Sequence, residues 1–230
     1  MRRYLAHDTA PLQLWWTDLD TMPPPPGAEA TLSADERARA ARFVREVHRR
    51  RFTAAHVALR ELLAQHTGRA AAELQFTGGP FGKPALRGQP TCAFNMSHSD
   101  ELAVYAVAAH GDIGVDVERL REMPDTDMLA RHNFTPAEQD QLGRAPASAR
   151  ALTFLYGWTR KEACLKAIGC GLQVDPYTFE VGLGPDRRDV SVVSPDGPVM
   201  VEVESFCDGD RAVVSWARVK PALPEPTHSA

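Results

Sequence analysis

The chain has 230 residues, of which 43% are hydrophobic and 24% charged, as in an ordinary soluble globular protein. Its formal net charge of −4 argues against a general nucleic-acid binder, which usually presents a strongly basic face. No stretch approaches the roughly eighteen consecutive apolar residues of a membrane span, and no secretory signal is present. The four cysteines form no C-x-x-C pair, which indicates reduced thiols. We therefore expect a cytoplasmic protein that binds neither nucleic acid nor a membrane.

The first elements of the chain are predicted from its aromatic and helix-forming residues. Residues 12–19 read as a short strand that ends at the proline run 23–26. Ser33 is the expected N-cap, with acidic residues in the first turn after it. Helix-forming residues continue to about Gln65, with a break near His48, and Gly68 ends them. Glycines and prolines predict a loop over 77–91.

The second part of the chain begins with two apolar runs. Residues 102–109 and 113–117 are joined by a His-Gly-Asp turn, and we expect them to form an antiparallel hairpin. Thr135 opens a capping box with proline at the first helical position. A strong helix runs over 150–168 and ends at Gly169. Four further strands are predicted, at 177–182, 190–193, 198–206 and 211–218.

Both parts of the chain show the same coarse order of strands and a long helical stretch. The predicted class is therefore α+β, with two similar halves that each combine an antiparallel sheet and a long helix. We place the N-terminal half at 1–110 and the C-terminal half at 111–220, followed by a disordered tail at 221–230. No residue-level repeat is evident, so a duplicated fold rests on this order alone.

Asp116 and Glu118 are candidate metal ligands on a predicted strand. Side chains alternate along a strand, so both carboxylates leave the same face while Val115 and Val117 leave the other. Two carboxylates at that spacing can reach one hard cation, and oxygen ligands suit Mg²⁺ or Ca²⁺. An exposed strand with polar residues outward would show the same pattern.

Glu162 is a third candidate carboxylate, on the predicted helix 150–168. On a helical wheel it falls within an apolar arc that includes Leu155 and Leu165, and Lys166 lies one turn away on the same side. A carboxylate in an apolar arc is costly unless it binds a partner. A simple ion pair between Glu162 and Lys166 would not explain this placement, which favours a functional role.

Three further segments could bind an anion. Ser97 and His98 belong to a cluster of short donors just before the buried strand, although such residues also shape turns. Lys83 lies in the glycine- and proline-rich loop, where a solvated lysine is the default. Many arginines make the first long helix basic, and a phosphate site could use a few of them, although most would be solvated.

Five motifs follow one another along the chain: Phe-Gly-Lys-Pro (81–84), Asn-x-Ser-His-Ser (95–99), Gly-Val-Asp-Val-Glu (114–118), Phe-Thr-Pro-Ala-Glu (134–138) and Trp-Thr-Arg-Lys-Glu-Ala-x-x-Lys (158–166). Together they resemble the 4′-phosphopantetheinyl transferase family, and within it the larger surfactin-synthetase-type class. The resemblance covers about residues 33–171. Most of its specificity comes from G-x-D-x-E followed by W-x-x-K-E-x-x-x-K.

The resemblance implies two similar α+β halves with the active site between them. It implies that Asp116, Glu118 and Glu162 bind Mg²⁺ at the pyrophosphate of coenzyme A. Lys161 and Lys166 match lysines that contact phosphate or assist proton transfer. The remaining matched residues belong to the nucleotide site: Ser97, His98, Arg39 and Arg51 around the 3′-phosphate, and Lys83 near the adenosine end, while Glu36 stands where a basic residue is expected.

The implied activity transfers 4′-phosphopantetheine from coenzyme A to a serine of an apo-carrier protein, with one monomeric chain supplying the site. In that reaction Glu162 is the candidate base, while Lys161 and Lys166 offset developing negative charge. Two alternatives stay open. One is another Mg²⁺-dependent phosphoryl-transfer or hydrolysis enzyme acting on a coenzyme A-like nucleotide. The other is a non-catalytic module that binds coenzyme A or a carrier protein.

Overall fold

The computed structural model describes residues 2–4, 12–79, 81–89 and 91–221. The strands in chain order are β1 (Arg2–Tyr4), β2 (Leu12–Asp18), β3 (Phe76–Gly78), β4 (Pro84–Leu86), β5 (Ala93–Ser99), β6 (Leu102–Ala108), β7 (Ile113–Arg119), β8 (Arg188–Ser194), β9 (Gly197–Asp208) and β10 (Ala212–Val219). The helices are α1 (Ala34–Ala41), α2 (Glu46–Thr67), α3 (Thr126–Asn133), α4 (Pro136–Arg144) and α5 (Arg150–Ile168). These elements confirm the predicted α+β class. Within the described ranges, no helix is long and apolar enough to cross a membrane.

Two four-stranded antiparallel sheets form the frame of the molecule. Their strand orders are β1-β2-β6-β5 and β7-β10-β9-β8. The order β2-β6-β5 in the first sheet is repeated as β7-β10-β9 in the second. In the chain, α2 follows β2 and precedes β5 and β6, and α5 likewise follows β7 and precedes β9 and β10. The two sheets therefore share the topology of these three strands, while the fourth strands, β1 and β8, lie at opposite edges. Strands β3 and β4 form a separate short hairpin.

The core is arranged in four layers, helix, sheet, sheet and helix. Leu59 of α2 packs with Tyr105 on one face of the first sheet. Val104, on the opposite face of β6, packs with Trp216 in the apolar layer between the two sheets. Ala163 of α5 packs on the far face of the second sheet. Both long helices thus lie on the outside of the paired sheets.

The predicted helix boundaries are largely confirmed, because local capping specifies them. Ser33 and Thr135 each form a capping box with the glutamate three residues later. Gly68 and Gly169 end α2 and α5 in the left-handed conformation, with φ of +69° and +76°. The break in the first helical stretch lies at residues 42–45, slightly earlier than predicted.

The predicted hairpin between 102–109 and 113–117 is wrong. β6 pairs with β2 and β5, whereas β7 pairs with β10 in the other sheet. All seven residues of β6 are buried, so this strand needs a neighbour on each edge and a cover on each face. The turn at Gly111, with φ of +92°, carries the chain from one sheet to the other.

The predicted strand at 177–182 is also wrong. A short 3-10 turn spans Pro176–Thr178, and no strand includes the described residues that follow it up to residue 187. The backbone carbonyls of this segment accept hydrogen bonds from the side chains of Arg160 and Lys161 rather than from a neighbouring strand. The segment 176–184 is therefore held by α5 and not by a sheet.

Strands β3, β4 and β5 occur where none was predicted. The region 77–91 contains the β3–β4 hairpin as well as loop. The donor cluster at 95–99 is part of strand β5 and does not shape a turn. Asn95, Ser97 and Ser99 alternate with Phe94, Met96 and His98, which is the two-residue period of a strand. Because few of these residues are hydrophobic, the sequence did not show this period clearly. Of the predicted tail at 221–230, residues 222–230 lie outside the described residues.

Candidate active site

The site lies where β7 passes beneath α5. Ile113, Val115 and Val117 are buried in the layer between the sheets, so Asp116 and Glu118 leave the opposite face of β7. That face is covered by α5, whose Lys166 reaches Asp116. The predicted division of the two faces is therefore what the structure shows.

Gly114 allows α5 to lie directly against β7. A Cβ atom at this position would meet the carbonyl oxygen of Ala163 and, at 2.5 Å, the amide nitrogen of Ala167. No other residue leaves room for helix backbone at that distance. The glycine of the G-x-D-x-E motif thus brings the helix that carries Glu162 to the strand that carries Asp116.

Side chains of β5 hold the carboxylates from the neighbouring sheet. Ser97 Oγ donates to Asp116 Oδ1 at 2.7 Å, and Ser99 Oγ donates to Glu118 Oε2 at 2.8 Å. Two residues earlier on β5, Asn95 Oδ1 accepts a hydrogen bond from the Val115 amide at 3.0 Å. We call these contacts of Asn95, Ser97 and Ser99 with β7 the seam. It joins the two sheets at the site through side chains rather than through a backbone ladder.

Asp116 has one oxygen satisfied and one without a partner. Oδ1 accepts from Lys166 Nζ at 2.6 Å as well as from Ser97. Oδ2 is buried and makes no hydrogen bond among the described residues. An unpaired buried carboxylate oxygen is costly, and such an atom fits a cation ligand. As the side chains stand, no three His, Cys, Asp or Glu residues within the described ranges form a group that could hold a metal.

Glu118 and Glu162 are close enough to Asp116 to affect one another electrostatically. Burial raises the pKa of Glu162 above its usual value, and the negative charges of Asp116 and Glu118 add to the rise. Burial likewise raises the pKa of Glu118, with a further contribution from Asp116. Three carboxylates that repel one another form a site that a divalent cation would relieve.

A cavity of about 380 Å³ opens beside Glu162 and Lys166. Apolar side chains, including Phe81 and Met96, line it together with these two charged residues and Lys83. Phe81 is exposed at the rim. A cavity with an apolar wall and charged groups at one end is typical of a site for a small-molecule ligand.

Positive charges gather at the other side of the site, around His98. His98 is an exposed residue, yet partial desolvation lowers its pKa, the neighbouring His56, Lys166 and Arg39 lower it further, and Asp116 opposes the shift. Cations that repel one another in this way are stabilised by an anion bound between them. Arg39 itself is exposed and stacks over the Phe52 ring at 5.4 Å.

Lys83 is committed to the end of α5. Its Nζ donates to the carbonyl oxygen of Ala167 at 2.6 Å and to Asp112 at 2.9 Å. A lysine at a helix C-terminus is favoured by the exposed carbonyls there. The side chain still borders the cavity beside Glu162, so it lies near the site although it already has two partners.

Arg51 pairs with carboxylates other than Asp116, Glu118 and Glu162. Its guanidinium makes a bidentate contact with Asp20, at 3.2 Å from Nε and 2.6 Å from Nη2, and it lies 3.5 Å from Asp100 and 3.7 Å from Glu101. A guanidinium surrounded by three carboxylates is poorly suited to bind a phosphate. The structure thus places this predicted anion ligand within an acidic cluster.

Lys161 is not in the cleft either. It is fully buried on the opposite face of α5, where its ammonium lies 2.8 Å from Glu138. It donates to the carbonyl oxygens of Pro176 at 2.6 Å and Phe179 at 2.5 Å. Desolvation lowers its pKa, and the Glu138 charge opposes that shift. Glu162, the next residue, is half-buried and faces the cavity.

Sequence reasoning missed the ion pairs of two glutamates, the half-buried Glu36 and the buried Glu138. Glu36 pairs with the buried Arg60 at 2.8 Å and with His56 at 3.2 Å, so the acidic residue at this position is part of the fold. Glu138 is fully buried and pairs with Lys161. Each glutamate closes a capping box, and that pattern was the available signal.

Comparison with known proteins points to one family in both halves. The profile of the 4′-phosphopantetheinyl transferase N-terminal region matches residues 27–110. The profile of the 4′-phosphopantetheinyl transferase superfamily matches residues 112–206.

Three relatives are similar over most of the chain. The 4′-phosphopantetheinyl transferase HetI of Nostoc sp. is 42% identical over 146 residues, which cover 62% of each protein. The L-aminoadipate-semialdehyde dehydrogenase-phosphopantetheinyl transferase of Eremothecium gossypii is 40% identical over 153 residues, covering 62% of this chain and 55% of the relative. A 4′-phosphopantetheinyl transferase of Bacillus subtilis is 31% identical over 168 residues, covering 73% of each. The match spans less than two thirds of the length of the first two relatives.

Proposed function

Because the chain belongs to the 4′-phosphopantetheinyl transferase family, we propose that it transfers 4′-phosphopantetheine from coenzyme A to a serine of an apo-carrier protein. In this reaction the serine Oγ bonds to the β-phosphorus of coenzyme A. The bond between that phosphorus and the bridging oxygen breaks, and adenosine 3′,5′-bisphosphate leaves. The serine proton passes to a base on the enzyme.

The observation that carries this proposal is the incomplete coordination of Asp116. Its buried Oδ2 has no partner among the described residues, and the neighbouring glutamates have raised pKa values because of burial and mutual repulsion. Asp116, Glu118 and Glu162 therefore fit Mg²⁺, whose preferred ligands are oxygens. When bound, Mg²⁺ would supply positive charge that neutralises the pyrophosphate and acts as a Lewis acid.

Glu162 is the proposed base for the carrier serine. It is half-buried and borders the cavity, so its carboxylate can take the serine proton directly or through a bound water. Lys166 would turn from Asp116 toward the phosphates, because its side chain is partly exposed and an ammonium there offsets negative charge on the leaving group. Ser97 and Ser99 hold the two β7 carboxylates in place.

The nucleotide end of coenzyme A is proposed to occupy the cavity beside α5 and the positive group around His98. Ser97, His98 and Arg39 would face the 3′-phosphate, since His98 lies in the positive field of Arg39 and Lys166. Lys83 would border the adenosine end while it caps α5. Arg51 keeps its three acidic neighbours and is not part of this proposal.

Both sheets of this one chain contribute residues to the site, which supports assignment to the larger, surfactin-synthetase-type class. β5 supplies the seam, and β7 with α5 supplies the carboxylates. A monomer would therefore hold a whole site. The division into domains at residue 110 stays a prediction, and the carrier is an acyl, aryl or peptidyl carrier protein by class.

The test is transfer of labelled phosphopantetheine from coenzyme A to a panel of apo-carrier proteins, with and without Mg²⁺. Glu162→Gln and Asp116→Ala should each lower the rate by at least about a hundredfold, whereas Glu61→Gln, at an exposed position of α2, should not change it. Full activity in either site variant contradicts the assignment. Release of adenosine bisphosphate without a carrier would indicate a hydrolase, and Mg²⁺-independent binding without turnover would indicate a binding module.

A further inference from the structure

The core face of α5 carries a buried ion pair that the proposed reaction does not use. The ammonium of Lys161, with no exposed surface, lies 2.8 Å from the Glu138 carboxylate, of which 3% is exposed. The ammonium also lies 4.8 Å from the centre of the Phe179 ring. Its two carbonyl partners belong to the segment 176–184. All of its hydrogen-bonding capacity is thus spent inside the core.

Glu138 links the start of α4 to the same segment. One of its oxygens caps the helix by accepting from the Thr135 amide at 3.1 Å. The other accepts from the Val181 amide at 2.7 Å and from the Gly182 amide at 3.3 Å. The pair of Glu138 and Lys161 therefore fastens three pieces of chain, α4, α5 and the segment 176–184, to one another.

The N-terminal half contains a matching pair. Glu36, the capping-box glutamate of α1, lies 2.8 Å from Arg60 of α2, whose side chain is 1% exposed. Arg60 also donates to the carbonyl oxygens of Ala71 at 2.7 Å and Leu74 at 3.1 Å. These carbonyls belong to the chain that leaves α2, as those of Pro176 and Phe179 belong to the chain that leaves α5.

The two pairs occupy equivalent positions in the duplicated topology. Arg60 stands eight residues before Gly68, the left-handed glycine that ends α2. Lys161 stands eight residues before Gly169, which ends α5 in the same way. Arg60 also lies over an aromatic ring, that of Phe76, at 4.9 Å. The same pattern of contacts thus occurs in both halves, although only the C-terminal copy is followed by a residue that the proposed reaction uses.

We propose that Lys161 is a positioning residue, which sets the rotation of α5 and does not contact substrate. Successive helical residues are turned by roughly 100°, so anchoring Lys161 in the core directs Glu162 to the cleft. Lys166 is directed to the same side by the same anchor. The inference rests on the proposed function only in taking Glu162 as the residue that must face the cleft.

Turning Lys161 toward a phosphate would leave Glu138 buried without a positive partner. Removing one partner of a buried pair is strongly destabilising, whereas replacing both by neutral groups is often tolerated. A positioning pair and a catalytic lysine therefore predict opposite outcomes for a double substitution. A positioning pair should tolerate replacement of both residues by neutral ones. If the Lys161 ammonium were catalytic, every variant without it would lose activity, including the double variant.

The experiment compares Lys161→Met, Glu138→Gln and the double variant, by thermal unfolding and by the rate of transfer to a carrier protein. Lys161→Met should lower the Tm by roughly 10 °C, and adding Glu138→Gln should recover most of that loss. The transfer rate of the folded double variant should stay within about tenfold of wild type. Lys220→Met, which breaks an exposed pair with Asp189, is the matched control and should change neither quantity.

Lys161→Arg provides a second, conservative variant, since an arginine fills this position in the N-terminal half. It should retain the wild-type pH profile of kcat/KM, because Lys161 transfers no proton and arginine cannot do so in the ordinary pH range. A rate loss of a hundredfold or more in the folded double variant, or loss of one limb of the pH profile in Lys161→Arg, overturns the proposal.

The failure of this inference can be told apart from failure of the proposed function. If wild-type protein transfers nothing to any carrier, the proposed function fails. The recovery of Tm in the double variant would still establish the buried pair, since it is measured on the protein without substrate. If wild type is active and the double variant is folded but inactive, the positioning role fails alone.

Discussion

The two long helices, α2 and α5, each carry a buried cation on the face toward the core, but they differ in the residue that follows this cation. In α2 the residue after Arg60 is Glu61, which is exposed to solvent. In α5 the residue after Lys161 is Glu162, which faces the cavity beside β7. The buried cations have nearly the same partners in both halves, so the anchor does not by itself create a site.

What distinguishes α5 is the strand next to it. Gly114 allows close approach of α5 to β7, and the seam residues of β5 orient the β7 carboxylates. The duplicated frame provides two anchored helices, and the second lies against the acidic residues of β7. Function here therefore depends on local contacts of β7 rather than on the repeated architecture.

Gly114→Ala should have the largest effect on what distinguishes α5 from α2, its close contact with β7. The added methyl group would collide with the backbone of α5 at Ala163 and Ala167, so α5 must move away from β7. We expect a loss of about 3 kcal/mol in the free energy of unfolding, together with loss of transfer activity. Urea unfolding and the carrier assay measure the two effects.

Gly143→Ala is the control for that substitution. Gly143 lies in α4, where an added methyl group would meet no atom of the described residues within 4 Å, and alanine favours a helix by up to about 1 kcal/mol. This variant should be as stable as wild type or slightly more stable. Equal behaviour of the two glycine variants would show that α5 does not need its close contact with β7.

Lys166→Met should show how the cleft face differs from the core face. It removes the cation that pairs with Asp116 at 2.6 Å, and because Lys166 is partly exposed we expect a loss of about 2 kcal/mol without metal. Mg²⁺ should then stabilise the variant more than wild type, since no ammonium competes for Asp116. Tm measured in EDTA and in excess Mg²⁺ tests this, and equal Mg²⁺-induced shifts would contradict it.

The anchor of α2 should respond to acid. The pKa of Glu36 is lowered from its usual 4.5 to about 2, where desolvation acts in the opposite direction and contacts with His56, the Ser33 amide and Arg60 lower it. The stabilisation is present above pH 4.5 and is lost as the pH falls toward 2.

By pH 3 wild type should have lost about 2 kcal/mol of its advantage over Glu36→Gln. Unfolding free energies of both proteins at pH 6 and pH 3 provide the measurement. Other carboxylates titrate equally in the two proteins, so an advantage that is unchanged at pH 3 would rule out this ion pair as a source of stability.

The smallest effect is expected at Glu61, the counterpart of Glu162. Its side chain is exposed, and surface substitutions of this kind change stability by less than about 0.5 kcal/mol. Glu61→Gln should also leave transfer activity unchanged. A rate loss comparable with that of Glu162→Gln would mean that the two helices are functionally equivalent.

The helix boundaries and the carboxylates of β7 could be predicted from sequence, because caps and strand alternation are local signals. It was harder to predict which side of α5 faces the cleft. The helical wheel placed Glu162 in an apolar arc, but α5 is covered on several sides, with Leu155, Lys161 and Leu165 all buried. A helix buried on two faces shows no single apolar stripe, so the wheel could not separate the cleft side from the core side.

Tertiary contacts explain the other errors. The region 177–182 has strand-like residues, but its carbonyls bond to Arg160 and Lys161, which no local pattern reveals. The partner choice of β6 and β7 depends on the packing of two sheets, and adjacency in the chain favoured the wrong pairing. The repeat of capping glutamate, buried cation and terminal glycine was present in the sequence, but its long spacings conceal it.

The seam has a consequence for how the molecule responds to ligands. Ser97 and Ser99 belong to one sheet, and the carboxylates they hold belong to the other, so the same hydrogen bonds orient the site and join the halves. By linkage, a cation or nucleotide that binds only the ordered carboxylates also tightens the association of the two sheets. Protection of the Val115 amide, bonded to Asn95, would then report occupancy of a site that it does not touch.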